Sequence, residues 1–232
     1  MNTISSFHRQ MQQVKDDILA MAGLVEQSIH DAAEAMARRD ASLALAVIQG
    51  DRRIDVMQNG IEERCIALLA TQQPVAVDLR FLSAVIKICA YLERMGDQAV
   101  NLAQRSQALE ELSPTEVPAT LLEMAQLAQE MTRDCMDAFA AGDVALANAL
   151  LGRDDDLDNL NRHILEEMVQ WMASENRLVR RGVEFILAGR HLERIGDEAC
   201  NIAEEVVYLV EGRVIRHLGR PEGQPQPSVG PL

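Results

Sequence analysis

The chain has 232 residues, of which 48% are apolar, 25% are charged and only 3% are aromatic. This composition is that of a soluble globular protein whose core is built from aliphatic side chains and methionine. The formal net charge of −14 argues against binding to nucleic acid or directly to an anionic membrane surface, because both are polyanions that repel an acidic protein.

Prolines divide the chain into long intervals in which apolar residues recur every three or four positions, the pattern of amphipathic helices. Asp40 and Asp143 each precede an Ala/Leu-rich run and are predicted to cap a helix there. The pattern predicts six long helices, at residues 6–38, 41–72, 75–110, 117–140, 144–173 and 177–211. The Pro/Gly-rich tail after Gly212 is expected to be disordered.

Two further features indicate the compartment. The N-terminal segment lacks the basic flank and apolar stretch of a secretory signal, and no run of about 18 apolar residues is free of charge. We therefore expect a cytoplasmic protein. The four cysteines are widely spaced, form no C-x-x-C pair and are interpreted as small buried hydrophobic residues rather than as disulfide partners or metal ligands: Cys65, Cys89, Cys135 and Cys200.

An internal repeat organises the chain. LERMGDQAVNLA at 92–103 matches LERIGDEACNIA at 192–203, and the predicted caps Asp40 and Asp143 keep a similar offset. The predicted fold is therefore all-α, with two tandem three-helix bundles of antiparallel helices. We place the first repeat at residues 1–112, the second at 113–212 and the tail at 213–232.

Acidic residues recur within this repeat. The third predicted helix of each half carries acids and an asparagine at every fourth position: Glu93, Asp97 and Asn101, then Glu193, Asp197 and Asn201. The second predicted helix of each half carries an acidic pair: Asp51 and Asp55, then Asp154 and Asp158. If the two helices form an antiparallel hairpin, equal rise per residue brings both pairs to nearly the same height. Each half would then hold four carboxylates at one level.

Four neighbouring carboxylates require a compensating cation, since each pair about 4 Å apart costs roughly 4 kcal/mol at an effective dielectric constant near 20. Arg94 and Arg194 adjoin the glutamates but point about 100° away from them. Oxygen ligands of this kind suit hard or borderline ions such as Mg, Mn, Ca or Fe, with Zn possible. We therefore expect divalent or trivalent ions of Fe, Mn, Mg or Zn. Gly96 and Gly196 lie between the acids and leave room for a neighbouring helix or an ion. The alternative interpretation is a solvated acidic helix face with intrahelical salt bridges.

The segments GLVEQSI, GDRRID, QPVAVDLR and above all the twin LER-hydrophobic-GD motifs resemble the PhoU family of phosphate-uptake regulators. The resemblance implies a cytoplasmic, often homodimeric accessory protein of phosphate transport, which restrains the phosphate-starvation response through a sensor histidine kinase and the transporter's ATPase subunit. It implies membrane association only through such partners. It also implies metal ligation at these acids, with Asn101 and Asn201 as secondary candidates: Asp51, Asp55, Glu93, Asp97, Asp154, Asp158, Glu193 and Asp197.

Two alternative functions stay open at this point. Carboxylate-bridged metal pairs in helical bundles can catalyse reactions, but the Glu-x-x-His spacing of ferritin-like sites is absent and the twin of His191 is Tyr91. We therefore expect no enzymatic activity. A protein that senses phosphate or metal by binding it directly is the second alternative, since a bound cation could capture the anion.

Overall fold

The computed structural model describes residues 2–215, and side chains from residue 6 onward. Its helices are α1 (Asn2–Arg38), α2 (Ala41–Gly50), α3 (Arg52–Gln72), α4 (Val77–Glu110), α5 (Ala119–Ala141), α6 (Val144–Leu151), α7 (Asp154–Ser174) and α8 (Val179–Glu211), with a 3₁₀ turn at Asn176–Leu178 before α8. The all-α prediction is confirmed. The predicted disordered tail lies, from residue 216 onward, outside the described residues.

Both predicted capping aspartates are confirmed by their hydrogen bonds. The Asp40 carboxylate accepts from the backbone N–H groups of Ser42 and Leu43, each at 3.0 Å. The Asp143 carboxylate accepts from the Leu146 N–H at 3.0 Å. Such bonds satisfy N–H groups that have no partner within the helix. The same local signal therefore starts the second segment of each repeat.

The helices predicted at 41–72 and 144–173 are not continuous, which corrects the sequence-based boundaries. The first is interrupted at Asp51 and the second at Gly152 and Arg153. A glycine at or beside each break lowers helix propensity there. The Arg153 N–H then donates to the Leu150 carbonyl at 2.8 Å, a tighter three-residue turn than the α-helix allows. Consequently Asp55 and Asp154 lie in the first turns of new helices, where the helix dipole favours acids.

The long helices α4 and α8 form the most extensive helix–helix contact in the described structure. Within the first repeat, α1, α2 and α3 pack on α4, and within the second, α5, α6 and α7 pack on α8. One hydrophobic cluster runs through both repeats. No helix among the described residues combines the length and apolar character needed to cross a bilayer.

Polar contacts set the register between α4 and α8. Lys87 Nζ lies 3.1 Å from the Glu205 carboxylate, and Arg105 lies 3.1 Å from Glu184. The residue later in α4, Arg105, contacts the residue earlier in α8, Glu184. The two helices are therefore antiparallel.

His191 belongs to the same α4–α8 interface. Its Nδ1 lies 2.9 Å from the Gln98 side-chain oxygen. Burial, with the nearby Arg105 and Arg194 cations, lowers the pKa of His191 to about 4. Its imidazole is therefore neutral at physiological pH, as suits a structural contact between helices.

Candidate metal centre

The first acidic cluster forms where the α2–α3 junction meets the middle of α4. Asp51 lies at the junction and Asp55 in the first turn of α3, while Glu93 and Asp97 lie one turn apart on α4. Asp51, Asp55 and Glu93 are half-buried, and Asp97 is exposed. The two predicted pairs lie near enough to each other for Asp97, Asp55 and Asp51 all to raise the pKa of Glu93.

Burial and repulsion raise the pKa of three carboxyl groups in this cluster. Burial is the larger cause for Asp51, followed by Asp55 and Asp97. For Glu93, burial is followed by Asp97, Asp55 and Asp51, against a smaller lowering by Arg94. Partial loss of solvent around Asp97, whose side chain stays largely exposed, and repulsion from Asp55 raise the pKa of Asp97. Folding therefore brings these negative charges together at an electrostatic cost in free energy. A bound cation would lower that electrostatic cost.

The second cluster repeats the arrangement with α7 and α8. Asp154 is the first residue of α7 and Asp158 lies one turn further on, facing Glu193 and Asp197 on α8. Burial, followed by repulsion from Glu193, Asp154, Asp158 and Glu198, raises the pKa of Asp197 to about 6. Burial is also the main cause that raises the pKa of Glu193. Asp197 keeps contact with solvent, so water screens part of the repulsion.

Two glycines permit the close helix packing that assembles the clusters. A Cβ atom at Gly96 would lie 3.1 Å from Ile54 Cδ1 and 3.4 Å from the Asp51 Oδ1. A Cβ atom at Gly196 would collide with a terminal methyl group of Leu157. Ile54 and Leu157 each lie between the two aspartates of a pair. The expectation that these glycines admit a neighbouring helix is confirmed.

Replacing Gly196 by valine is expected to lower the free energy of unfolding by roughly 1–3 kcal/mol, the usual cost of overpacking a core. Leu157 is 1% exposed and has little room to move away. Gly23→Ala is the matched control, because Gly23 is an exposed helical glycine with nothing within 4 Å of an added Cβ. The control should gain about 0.5–1 kcal/mol. Urea titrations that showed equal stabilities for both variants would contradict this packing role.

The residues flanking the clusters connect the two repeats. Arg94, beside Glu93, lies 3.6 Å from the Glu198 carboxylate on α8. Glu198 in turn accepts a hydrogen bond at 3.0 Å from the side-chain amide of Asn201. Arg94 is therefore directed towards the other repeat, in agreement with the prediction that it points away from the glutamate. Asn201 has its amide nitrogen committed to Glu198, while Asn101 is half-buried.

The chemistry of each cluster suits a hard cation, although the side chains are not arranged around one. Among the described residues, no three His, Cys, Asp or Glu side chains form a group that could hold a metal ion as they stand. Each cluster nevertheless gathers four carboxylates with oxygen ligands of the kind that Mg, Mn and Fe prefer. Burial and mutual repulsion raise the pKa values of Asp51, Glu93 and Asp197, and a cation bound there would lower them. Metal ligation by these residues stays a prediction.

One cysteine differs from the sequence-based interpretation. Cys65, Cys89 and Cys135 are fully buried, as expected, but Cys200 is only half-buried. Its thiol donates a hydrogen bond to the Asp154 carboxylate, with 3.6 Å between Sγ and Oδ1. Burial and Asp154 raise the pKa of this thiol, so it is protonated when no cation is bound. Cys200 follows Asp197 by three residues, a spacing that places both side chains on neighbouring parts of the helix surface. This spacing was the sequence signal that could have predicted that Cys200 lies beside the second cluster.

The chain matches the family model described as the PhoU domain twice, over residues 18–106 and 121–206. The phosphate-specific transport system accessory protein PhoU homolog of Pseudomonas putida is 38% identical over 216 residues, which cover 92% of this chain and 84% of that protein. The phosphate-specific transport system accessory protein PhoU of Escherichia coli is 33% identical over 218 residues, covering 93% and 90%. Both repeats are therefore matched.

Solved structures agree with these sequence relationships. The crystal structure of PhoU from Pseudomonas aeruginosa superposes with a TM-score of 0.85 at 38% identity, covering 89% of this chain and 100% of that one. The phosphate transport system regulatory protein PhoU from Streptococcus pneumoniae gives a TM-score of 0.84 at 28% identity, covering 90% and 99%. On the family model, the sequence identity and the shared fold, this chain belongs to the PhoU family.

Proposed function

We propose that this chain is a non-catalytic regulator of phosphate uptake and signalling, which restrains transport and the phosphate-starvation response when phosphate is sufficient. The main support for this proposal is the pair of matched acidic clusters on a helical scaffold of two repeats. The relatives of the chain are named as phosphate-specific transport system accessory proteins. The Nδ1 atom of His191 lies 2.9 Å from the Gln98 side-chain oxygen, which suits a structural contact between helices.

The proposed regulator acts in the cytoplasm through contacts with other proteins. Its partners are the sensor histidine kinase of the phosphate response and the ATPase subunit of the phosphate transporter, and it approaches the membrane only through them. The net charge of −14 suits docking to basic surfaces of such partners and disfavours nucleic acid. We further propose that the chain forms a homodimer.

The clusters would hold divalent or trivalent ions of Fe, Mn, Mg or Zn. Asp51, Asp55, Glu93 and Asp97 would serve the first repeat, and their four counterparts would serve the second. A bound cation supplies positive charge that offsets carboxylate repulsion. In the first repeat it would tie the start of α3 to the middle of α4, and in the second the start of α7 to the middle of α8. Such ties would stiffen each hairpin and present a defined surface to a partner.

Deleting the gene in its source organism is expected to raise alkaline phosphatase, a phosphate-starvation reporter, in phosphate-rich medium. The loss of a restraining protein leaves the starvation response switched on. The intact gene should restore low output, whereas an empty vector should not. Normal output in the deletion strain would contradict the proposed function. A search for partners and metal content would then start without an assumed pathway.

A further inference from the structure

An open cavity lies at one end of the second repeat, between the end of α7 and the linker of residues 112–118 that connects α4 to α5. Its volume is about 580 Å³. The apolar part of its lining comes from the buried Met168 and Phe185 and the half-buried Trp171. The rings of Trp171 and Phe185 lie 6.2 Å apart. We call this cavity the α7 end groove.

The internal repeat shows what lies at the equivalent place in the first repeat. The Thr120 hydroxyl donates a hydrogen bond to the Glu167 carboxylate at 3.1 Å. The residues at the matching positions of the first repeat are Asp17 and Arg64, which form an ion pair. Helices α1 and α3 therefore pack in the same register as α5 and α7. However, α1 begins about four turns before its contact, whereas α5 begins directly before Thr120.

The additional N-terminal turns of α1 pack on the protein core. Phe7 contacts the hydrophobic core and Val14 is fully buried. In the second repeat the corresponding length of chain is the linker, which ends at Pro118, and a proline disfavours the helical conformation of the residue before it. Leu68 on α3 is 3% exposed, while its counterpart Trp171 is half-buried. The second repeat therefore leaves open a position that the first repeat occupies with a helical segment.

The surface around the α7 end groove is acidic. A second cavity of about 670 Å³ lies next to it along α5 and α7. The two cavities are lined by Arg153 and His163 and by a larger set of acidic residues: Glu116, Glu123, Glu130, Asp156 and Glu167. Arg153 is already paired with Glu130 and Asp134, and arginines near the start of α8 are paired with other glutamates. A helix with an apolar face and basic edges matches this surface in shape and charge.

We propose that the α7 end groove binds a basic amphipathic helix of a partner protein, at the position that α1 occupies with its own chain in the first repeat. An apolar side chain of that helix would pack on Trp171 and Phe185, and lysines or arginines at its edges would face Glu116 and Glu123. From Leu160 to Trp171 the surface extends about 16 Å along α7, which matches three turns of helix. The proposal depends neither on metal binding nor on the proposed phosphate pathway, because the predicted metal ligands are not among the residues that line the two cavities.

Trp171 is the single tryptophan of the chain, so its fluorescence emission reports on the groove. The test is titration of the full chain with a synthetic, tryptophan-free helical peptide that carries leucines on one face and lysines on the other. Its binding should shift the Trp171 emission to shorter wavelength and should saturate. A peptide with glutamate in place of lysine should cause no shift. A peptide with the same composition but shuffled leucines should bind roughly tenfold more weakly, because it has no continuous apolar face.

Charge-reversal variants test the position of the binding site. Glu116→Lys with Glu123→Lys should weaken binding of the lysine peptide roughly tenfold, because attraction is replaced by repulsion. Both residues are exposed, so the fold should be kept. Glu63→Lys with Asp137→Lys is the matched control, since these exposed acids lie outside both cavities and the net charge changes equally. The control should bind the peptide as tightly as the parent does.

Three results would overturn the proposal. They are an unchanged Trp171 emission at saturating lysine peptide, equal binding of the lysine and glutamate peptides, and equal weakening by the two double variants. Emission of the parent alone that changes with chain concentration would assign the groove to a second copy of the chain, and it would also overturn the proposed partner helix.

Discussion

Replacing Asp97 and Asp197 together by alanine is expected to lower the number of metal ions bound per chain while the helical content stays unchanged. Each substitution removes one of four carboxylates from a cluster. The loss of a direct ligand should weaken binding by more than the roughly 10- to 100-fold that loss of an outer-shell partner costs. Mass spectrometry would measure the number of metal ions bound per chain. Far-ultraviolet circular dichroism would measure the helical content.

The effect of the same double variant on stability is expected to depend on whether metal is bound. In the metal-free protein, repulsion from Asp97 raises the pKa of Asp51 and Glu93, and repulsion from neighbouring carboxylates raises the pKa of Asp197 itself. Without metal, the variant should therefore be at least as stable to urea as the parent. With metal, the parent should gain stability that the variant lacks, because binding to the folded state alone stabilises it.

A control variant tests whether the loss of two negative charges alone changes metal binding. It replaces one acidic residue outside the cluster in each repeat. Glu63 on α3 and Asp155 on α7 are both exposed, so Glu63→Ala with Asp155→Ala changes the net charge equally. This control should keep the metal content of the parent. Unchanged metal content in the Asp97 and Asp197 variant would show that the ligand assignment is wrong.

Replacing Lys87 by methionine is expected to destabilise the fold by roughly 2–3 kcal/mol. Removing one partner of a buried ion pair typically costs 3–5 kcal/mol, and water reaches part of Lys87, whose side chain is 41% exposed. Glu205 is 2% exposed and would lose this ammonium partner. Methionine keeps most of the apolar part of the lysine side chain. The change in stability therefore measures mainly the loss of the positive charge. The free energy of unfolding in urea would measure it.

Two further variants separate this effect from a general loss of surface charge. Adding Glu205→Gln to Lys87→Met should recover part of the lost stability, because the buried side chain is then neutral. Arg38→Met removes an exposed partner of Glu34 within one helix and should change stability by no more than about 0.5 kcal/mol. Equal losses for Lys87→Met and Arg38→Met would contradict a role for Lys87 in fixing the α4–α8 register.

The helix ends show how far local signals extend. Asp40 and Asp143 cap their helices as expected, because capping depends on a side chain and the next three residues. The interruptions at Asp51 and Gly152 were missed, because the apolar periodicity continues across them. A single glycine costs only about 1 kcal/mol in a helix. Whether the chain then bends is decided by the helix on which it packs.

The sequence by itself determined the all-α class, the duplication and the residues of the two acidic clusters. These depend on periodicity and on matched spacing, which are properties of the chain alone. Only the tertiary structure decided that α4 and α8 pack together, that Lys87 meets Glu205 across 118 positions, and that Cys200 faces Asp154 while the other cysteines are buried. A pattern of apolar residues shows which face of a helix is buried. It does not name the partner helix, because that choice depends on how distant surfaces fit together.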